Sequence, residues 1–206
     1  MTRIKLCGLS RLEDIETANR LLPDYVGFVF AQGSPRQITP AQAARLKAAL
    51  DPAIKAVGVF VNEDPETVAQ LLDAGIIDLA QLHGRESPGY LRVLTAMTGH
   101  PVIQAFQVRG PEDLERAGAS AADHLLLDAG AGEGKTLDWS LLQGIPSRYL
   151  LAGGLGPENV AAAIETLHPW GVDVSSGIET GGRKDPVKME AFVAAVRGAD
   201  GKEETP

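Results

Sequence analysis

Ala152-Gly153-Gly154-Leu155-Gly156-Pro157-Glu158-Asn159-Val160 follows the short apolar run Tyr149 to Ala152, and Asp173-Val174-Ser175-Ser176-Gly177-Ile178-Glu179 closes the next run, Gly171 to Ser175. Each is a strand signal leading into a glycine turn. Where these turns fall in the chain decides between two folds. An open, doubly wound sheet places its Gly-rich turn after the first strand and an acidic residue at the end of the second. Here the first turn has only Gly8, and the conspicuous glycine turns come late. A closed barrel of parallel strands uses the loops after its seventh and eighth strands to hold a phosphate. Glycine lets the backbone approach a bound group, and N–H groups at a turn or helix start present partial positive charge to an anion. One such turn is equally well a plain tight connection, whereas two on neighbouring strands point to a phosphorylated ligand.

Outward from these turns, β-rich runs alternate with helical runs along the chain. Strands are predicted at Arg3 to Cys7, Tyr25 to Phe30, Ala56 to Val61, Leu79 to His83, Val102 to Phe106, His124 to Asp128, Tyr149 to Ala152 and Gly171 to Ser175. Eight strands is the count that closes a barrel. Helix starts are marked by Ser10 before Arg11 to Leu21, Thr39-Pro40, Asp64-Pro65, Ser87-Pro88, Gly110-Pro111, Gly156-Pro157 and Asp185-Pro186. Proline costs nothing at a first helical position, where its missing N–H has no partner to lose. The order strand, loop, helix implies parallel strands with right-handed crossovers. Between Asp128 and Tyr149 there is only a Gly-rich loop and a brief helical piece around Trp139 to Gln143, so that crossover is expected to be short or irregular. The reading is an α/β protein of one domain, a (β/α)8 TIM barrel over residues 1–197, whose last helix reaches about Val196. The small, charged tail 198–206 is expected to be disordered.

With 206 residues the chain can bury the core of one such barrel. A net charge of -8 argues against nucleic acid or an anionic membrane as partner. The single cysteine excludes a disulfide framework and a cysteine-rich metal site, and no His/Asp/Glu spacing reads as a metal site. No apolar signal segment opens the chain and no apolar run reaches membrane-spanning length, so a soluble, cytoplasmic protein is expected. Whether it is a monomer or a homodimer stays open.

That single cysteine ends the first strand, in Lys5-Leu6-Cys7-Gly8. Ile4 and Leu6 share one face, Lys5 and Cys7 the other, and in a barrel the second face lines the interior and brings Cys7 to the rim. A free cysteine is most often a small buried hydrophobe, but a rim thiol is also a candidate acid or base. Its use as a base needs help from a nearby positive charge or the dipole of a helix start; Lys5 could supply the charge, or could equally pair with a carboxylate lower in the barrel and serve only packing. Asp128, at the end of Leu125-Leu126-Leu127, reaches the rim of strand six. It is either a strand-end cap or a general acid kept protonated by apolar surroundings. Arg36, in the turn-rich loop Gln32 to Arg36, offers a fork of donors suited to a carboxylate. Gln81 and His83 share a face of strand four and point at the rim.

Taken in order, Lys5-Leu6-Cys7-Gly8, Gly27-Phe28-Val29-Phe30, Ser34-Pro35-Arg36, Val57 to Asn62, Gln81-Leu82-His83-Gly84, Leu127-Asp128, Gly134 to Trp139 and the two glycine turns resemble the phosphoribosylanthranilate isomerase family of tryptophan biosynthesis. The resemblance runs from near residue 3 to about 190. It implies an Amadori rearrangement of a phosphorylated aminosugar, N-(5-phosphoribosyl)anthranilate, to 1-(2-carboxyphenylamino)-1-deoxyribulose 5-phosphate, with neither cofactor nor metal. By the same resemblance Cys7 is the general base, Asp128 the general acid and Arg36 the residue near the anthranilate carboxylate. Gln81, His83, Gly153, Gly154, Asp173, Ser175, Ser176 and Gly177 are expected to line the substrate site, the two glycine turns around its phosphate. Two positions depart from the family pattern: Glu133 stands between glycines where a small hydroxyl residue is usual, and Ala152 where serine is common. A histidine-pathway isomerase would carry an aspartate pair and phosphate turns in both halves. A non-catalytic sugar-phosphate binder would have no need for Cys7 and Asp128 together.

Overall fold

In the computed structural model, which describes residues 1–129, 139–142 and 148–203, eight parallel strands close on one another in chain order. They are β1 (Arg3–Cys7), β2 (Tyr25–Val29), β3 (Lys55–Phe60), β4 (Leu79–Leu82), β5 (Val102–Gln107), β6 (His124–Asp128), β7 (Tyr149–Ala152) and β8 (Gly171–Val174). Helices α1 (Leu12–Leu21), α2 (Pro40–Ala49), α3 (Pro65–Asp73), α4 (Pro88–Thr98), α5 (Pro111–Gly118), α6 (Val160–Leu167) and α7 (Pro186–Glu203) alternate with them. β1 pairs with both β2 and β8, so the sheet has no edge and the open, doubly wound alternative falls. Between β6 and β7 the described residues form a single 3₁₀ turn, Trp139–Leu142; the Gly-rich stretch expected at 130–138, with Glu133, lies outside them. Among the described residues no helix is long and apolar enough to cross a membrane.

Alternation sorts the strand side chains as the sequence reading expects. Ile4, Leu6, Leu127 and Leu151 pack outward against the helices, while Val57, Leu79, Ile103, Leu126, Leu150 and Ala152 fill the barrel interior. Above that filling, Cys7, Val29 and Val59 form a smaller apolar layer at the carboxyl ends of β1 to β3. Asp128 shares the inward face of Leu126, two residues back. Gly27 is what admits the thiol: a Cβ there would lie 2.7 Å from Cys7 Sγ.

Two helices begin later than their sequence signals suggest. α1 starts at Leu12, because the work expected of Ser10 is done from inside the helix by Asp14, whose Oδ2 accepts from the Ser10 and Arg11 N–H groups at 3.0 Å each. α6 starts at Val160, so Pro157 is not its first residue. Asn159 closes the intervening turn, accepting from Gly156 N–H at 2.8 Å and donating to the Gly154 carbonyl at 2.9 Å. A two-stranded hairpin, β9 (Glu179–Thr180) and β10 (Arg183–Lys184), follows β8 and lies outside the eight strands that the sequence predicts.

The tail is also corrected. α7 does not stop near Val196 but continues to Glu203, with Ala199 and Asp200 buried, and only 204–206 lie outside the described residues. Polarity had suggested disorder from Gly198, but Asp200 spends its charge on the start of the chain. Its carboxylate accepts from Thr2 N–H at 3.0 Å and from Thr2 Oγ1 at 2.7 Å, while Arg197 Nη1 donates to the Thr2 carbonyl at 2.8 Å. Asp200→Ala should therefore cost about 1–3 kcal/mol, the penalty for leaving buried donors unpaired, read as a lower urea midpoint. An unchanged midpoint would show that the last turns of α7 add nothing to stability.

Candidate active site

The carboxyl ends of the strands surround a cavity of about 500 Å³. Cys7, Arg36, Gln81, His83, Asp128, Gly153, Gly154, Asp173, Ser175 and Ser176 all line it. Gly177 is the one residue of the expected site that does not. It is instead where the two glycine turns meet, since a Cβ on Gly177 would fall 1.9 Å from the Leu155 carbonyl oxygen. The loops after β7 and β8 thus touch backbone to backbone beside the cavity. Gly153 and Gly154 hold φ of 95° and 66°, a left-handed region that other residues rarely enter.

Below the cavity, register puts Lys5 of β1 opposite Asp173 of β8. The Lys5 ammonium is fully buried and donates to Asp173 Oδ1 at 2.9 Å. Burial alone would lower the pKa of Lys5, but Asp173 and Cys7 together outweigh it and the ammonium is held above its ordinary range. Of the two readings of Lys5, pairing with a carboxylate is therefore realised, and the same ammonium also bears on the thiol two residues on. Cys7 is 7% exposed. Burial pushes its thiol pKa up and Asp173 adds to the rise, while Lys5 and Lys184 work against it.

Arg36 does not hang free in its loop. Its Nε and Nη2 donate to the two oxygens of Glu179 at 2.6 and 2.7 Å, a side-on, two-bond pair. Glu179 also accepts from Lys184 Nζ at 2.6 Å, and that ammonium donates in turn to the Ser175 carbonyl at 2.9 Å. Burial would raise the pKa of Glu179, but its bonds to Arg36 and Lys184 prevail and hold the carboxyl below its usual range. All three partners crowd over Gly8, whose absent Cβ would meet Arg36 Cδ at 2.5 Å, Ser175 Oγ at 3.3 Å and Lys184 Nζ at 3.4 Å. With φ of 82°, Gly8 is required on both counts.

Across the cavity, Gln81 Nε2 lies 2.8 Å from His83 Nδ1. With the amide donating, Nδ1 accepts and the imidazole proton sits on Nε2, which is 3.9 Å from Asp128 Oδ2. Gln81 is 1% exposed, and its Oε1 has no hydrogen-bond partner among the described residues. Gln81 and the Asp128 carboxylate therefore line the same cavity as the buried thiol and the glycine turn after β7. Among the described residues no cluster of three or more His, Cys, Asp or Glu could hold a metal ion.

Glu179 and Lys184 have no role in the sequence reading. Glu179 ends a quoted motif without one, and Lys184 becomes a site neighbour only because the chain doubles back. The signal for that return was present: Gly181-Gly182, with φ of 59° and 75°, is the two-residue turn that closes a tight hairpin.

Residues 4–195 match the sequence model of N-(5'phosphoribosyl)anthranilate (PRA) isomerase. A relative from Acetivibrio thermocellus named N-(5'-phosphoribosyl)anthranilate isomerase is 43% identical over 215 residues, spanning 98% of each chain. The crystal structure of phosphoribosyl anthranilate isomerase from Thermotoga maritima superposes with a TM-score of 0.89 at 39% identity, covering 96% of this chain and 100% of that one. A second solved isomerase, in complex with reduced 1-(o-carboxyphenylamino)-1-deoxyribulose 5-phosphate, gives 0.86 at 38% identity over 96% of this chain and 100% of its own.

The pair beneath the cavity can be tested apart from any activity. Lys5→Met leaves the Asp173 carboxylate buried with no counter-ion, at an expected cost of about 3–5 kcal/mol. Adding Asp173→Asn removes the stranded charge and should return most of that loss in a urea titration. If the double variant is no more stable than Lys5→Met, the pair is not what Lys5 contributes.

Proposed function

The chain belongs to the N-(5'-phosphoribosyl)anthranilate isomerase family of tryptophan biosynthesis, and from that premise we propose that Cys7 and Asp128 carry out its isomerisation as general base and general acid. The product is the ketose 1-(2-carboxyphenylamino)-1-deoxyribulose 5-phosphate. The observation that carries this reading is the juxtaposition of one thiol and one rim carboxylate in a cavity bordered by the glycine turns after β7 and β8.

In the substrate, a furanose carries the anthranilate nitrogen on C1. Asp128 delivers its proton to the ring oxygen as the C1–O bond breaks, and the nitrogen lone pair forms a C1=N double bond. That iminium acidifies the proton on C2. The Cys7 thiolate removes it, and the C–H electrons move through C2–C1 to nitrogen, leaving a neutral enolamine. Reprotonation at C1 with loss of the enol O–H proton gives the C2 ketone. The substrate's nitrogen is the electron sink, so the chain has to supply only a placed acid, a placed base and anchors at the two ends of the molecule. Backbone N–H groups of the glycine turns suit the phosphate. Arg36 suits the carboxylate, because a guanidinium whose Nε edge is occupied still presents its Nη1 edge. Lys184, with Lys5, opposes the rise that burial imposes on the thiol.

The anthranilate chromophore provides the direct test, since its emission should change with turnover of N-(5-phosphoribosyl)anthranilate, whereas a mere binder would saturate without progressing. Cys7→Ser should keep the fold and lose on the order of 10²-fold or more in kcat, as for removal of a general base. Near-parental turnover in that variant would take Cys7 out of the mechanism. Because burial holds the thiol above its ordinary range, thiolate accumulates only as pH rises. Alkylation of Cys7, the single cysteine of the chain, should therefore quicken through the alkaline region with its midpoint above that of an ordinary cysteine thiol. A midpoint at or below the ordinary value would show that Lys5 and Lys184 outweigh burial.

Asp128→Asn preserves shape but has no acidic proton to give, so product binding should survive while ring opening is lost. Loss of product affinity together with thermal stability would show instead that Asp128 serves as a strand-end cap.

A further inference from the structure

Glu179 makes two pairings at once and takes no part in the proton transfers above. Its Oε1 accepts from both Arg36 Nε and Lys184 Nζ, and its Oε2 from Arg36 Nη2. Its side chain is 9% exposed and that of Lys184 2%, so this is not a solvated surface pair of negligible effect. The three charges sum to +1, and the Lys184 ammonium is occupied by Glu179 and by the carbonyl and hydroxyl of Ser175. What remains for an anionic ligand is the far edge of Arg36, with Nη1 and the second N–H of Nη2.

We propose that Glu179 is a positioning residue for substrate recognition: by occupying the Nε edge of Arg36 it presents the opposite edge to the substrate's anthranilate carboxylate. A long side chain in a loop otherwise samples many rotamers, and a ligand must meet the cost of choosing one. Here the choice is made before binding. The hairpin supports it mechanically, since Lys184 of β10 holds the second side of Glu179 and the Thr180 hydroxyl donates to Asp185 at the start of α7 at 2.7 Å. Glu179 also keeps the carboxylate end distinct from the phosphate end. With its charge removed, Arg36 and Lys184 become two unneutralised cations beside Ser175, and the mouth no longer distinguishes which anion belongs where.

This inference rests on Arg36 binding the carboxylate, and steady-state kinetics separate the two claims. Arg36→Met should raise KM for N-(5-phosphoribosyl)anthranilate while inhibition by inorganic phosphate, which competes at the glycine turns, keeps its constant. Glu179→Gln should raise the same KM about tenfold or more, the loss typical of a charge-assisted hydrogen bond. It should leave kcat unchanged, and on the Arg36→Met background it should raise KM no further. An unchanged KM in Arg36→Met overturns the role of Arg36 and the inference with it. A raised KM in Arg36→Met alone, with a parental KM in Glu179→Gln, overturns the inference only. If Glu179→Gln instead shifts KM, kcat and the melting temperature together, Glu179 is merely a brace for the hairpin and the proposal fails. Should that variant not fold, Glu179→Asp retains the charge but is one methylene too short to reach both cations; a raised KM at parental kcat supports the proposal, and a parental KM overturns it.

Discussion

A buried ammonium must find a carboxylate or lose its charge, and Lys5 finds Asp173 across the seam where β1 meets β8. That pairing fixes more than two side chains. The last strand lies beside the first with no slip in register, because a shift by one residue would turn one of the two charges into the apolar layer outside and leave the other buried without its partner. With the seam fixed, Cys7 stands one pleat above Lys5 and Ser175 two residues beyond Asp173. The thiol and the glycine turn after β8 therefore inherit their separation from a contact that neither of them makes. A hydrophobic pair of the same volume would hold the barrel together as well. It would leave the thiol without the stronger of the two positive influences that moderate its burial.

The fold was legible because the barrel repeats one simple physical rule. Each strand alternates inward and outward side chains, most helix starts carry a proline or a short polar cap, and closure leaves no edge to be guarded. What could not be read from local signals came from partners far away in sequence. Asp14 replaces Ser10 as the cap of α1 because a carboxylate three residues inside the helix reaches both free N–H groups. Asn159 delays α6 because its amide prefers to close the loop holding Gly154 and Gly156. α7 outlasts its composition because Thr2, 198 positions away, needs a carboxylate.

The site divides along the same line. Residues on strands or beside glycine turns, such as Cys7, His83, Asp128 and Gly153, could be placed on the rim from pleat parity alone. Arg36 could be named but not oriented, since nothing in its own loop says that Glu179 will be its partner 143 residues later. Glu179 and Lys184 stay hidden until the Gly181-Gly182 turn brings the two together, with Lys184 over Gly8. Long-range charge pairs leave no periodicity to detect, and a hairpin of two-residue strands is too short to display one.

The contact between Thr2 and Asp200 brings the first strand and the last helix of the barrel together. Both residues belong to the face where the strands begin, opposite the cavity, so a short bridge from α7 to β1 would pass beneath the barrel without approaching the mouth. New ends could then be cut on that same face, for example at Gly75 between α3 and β4, where the backbone has open space around it. A circularly permuted chain would keep every strand neighbour and every rim side chain while changing the order in which they are synthesised. The arrangement of the rim is thus a property of the closed barrel and not of the order in which its strands are joined.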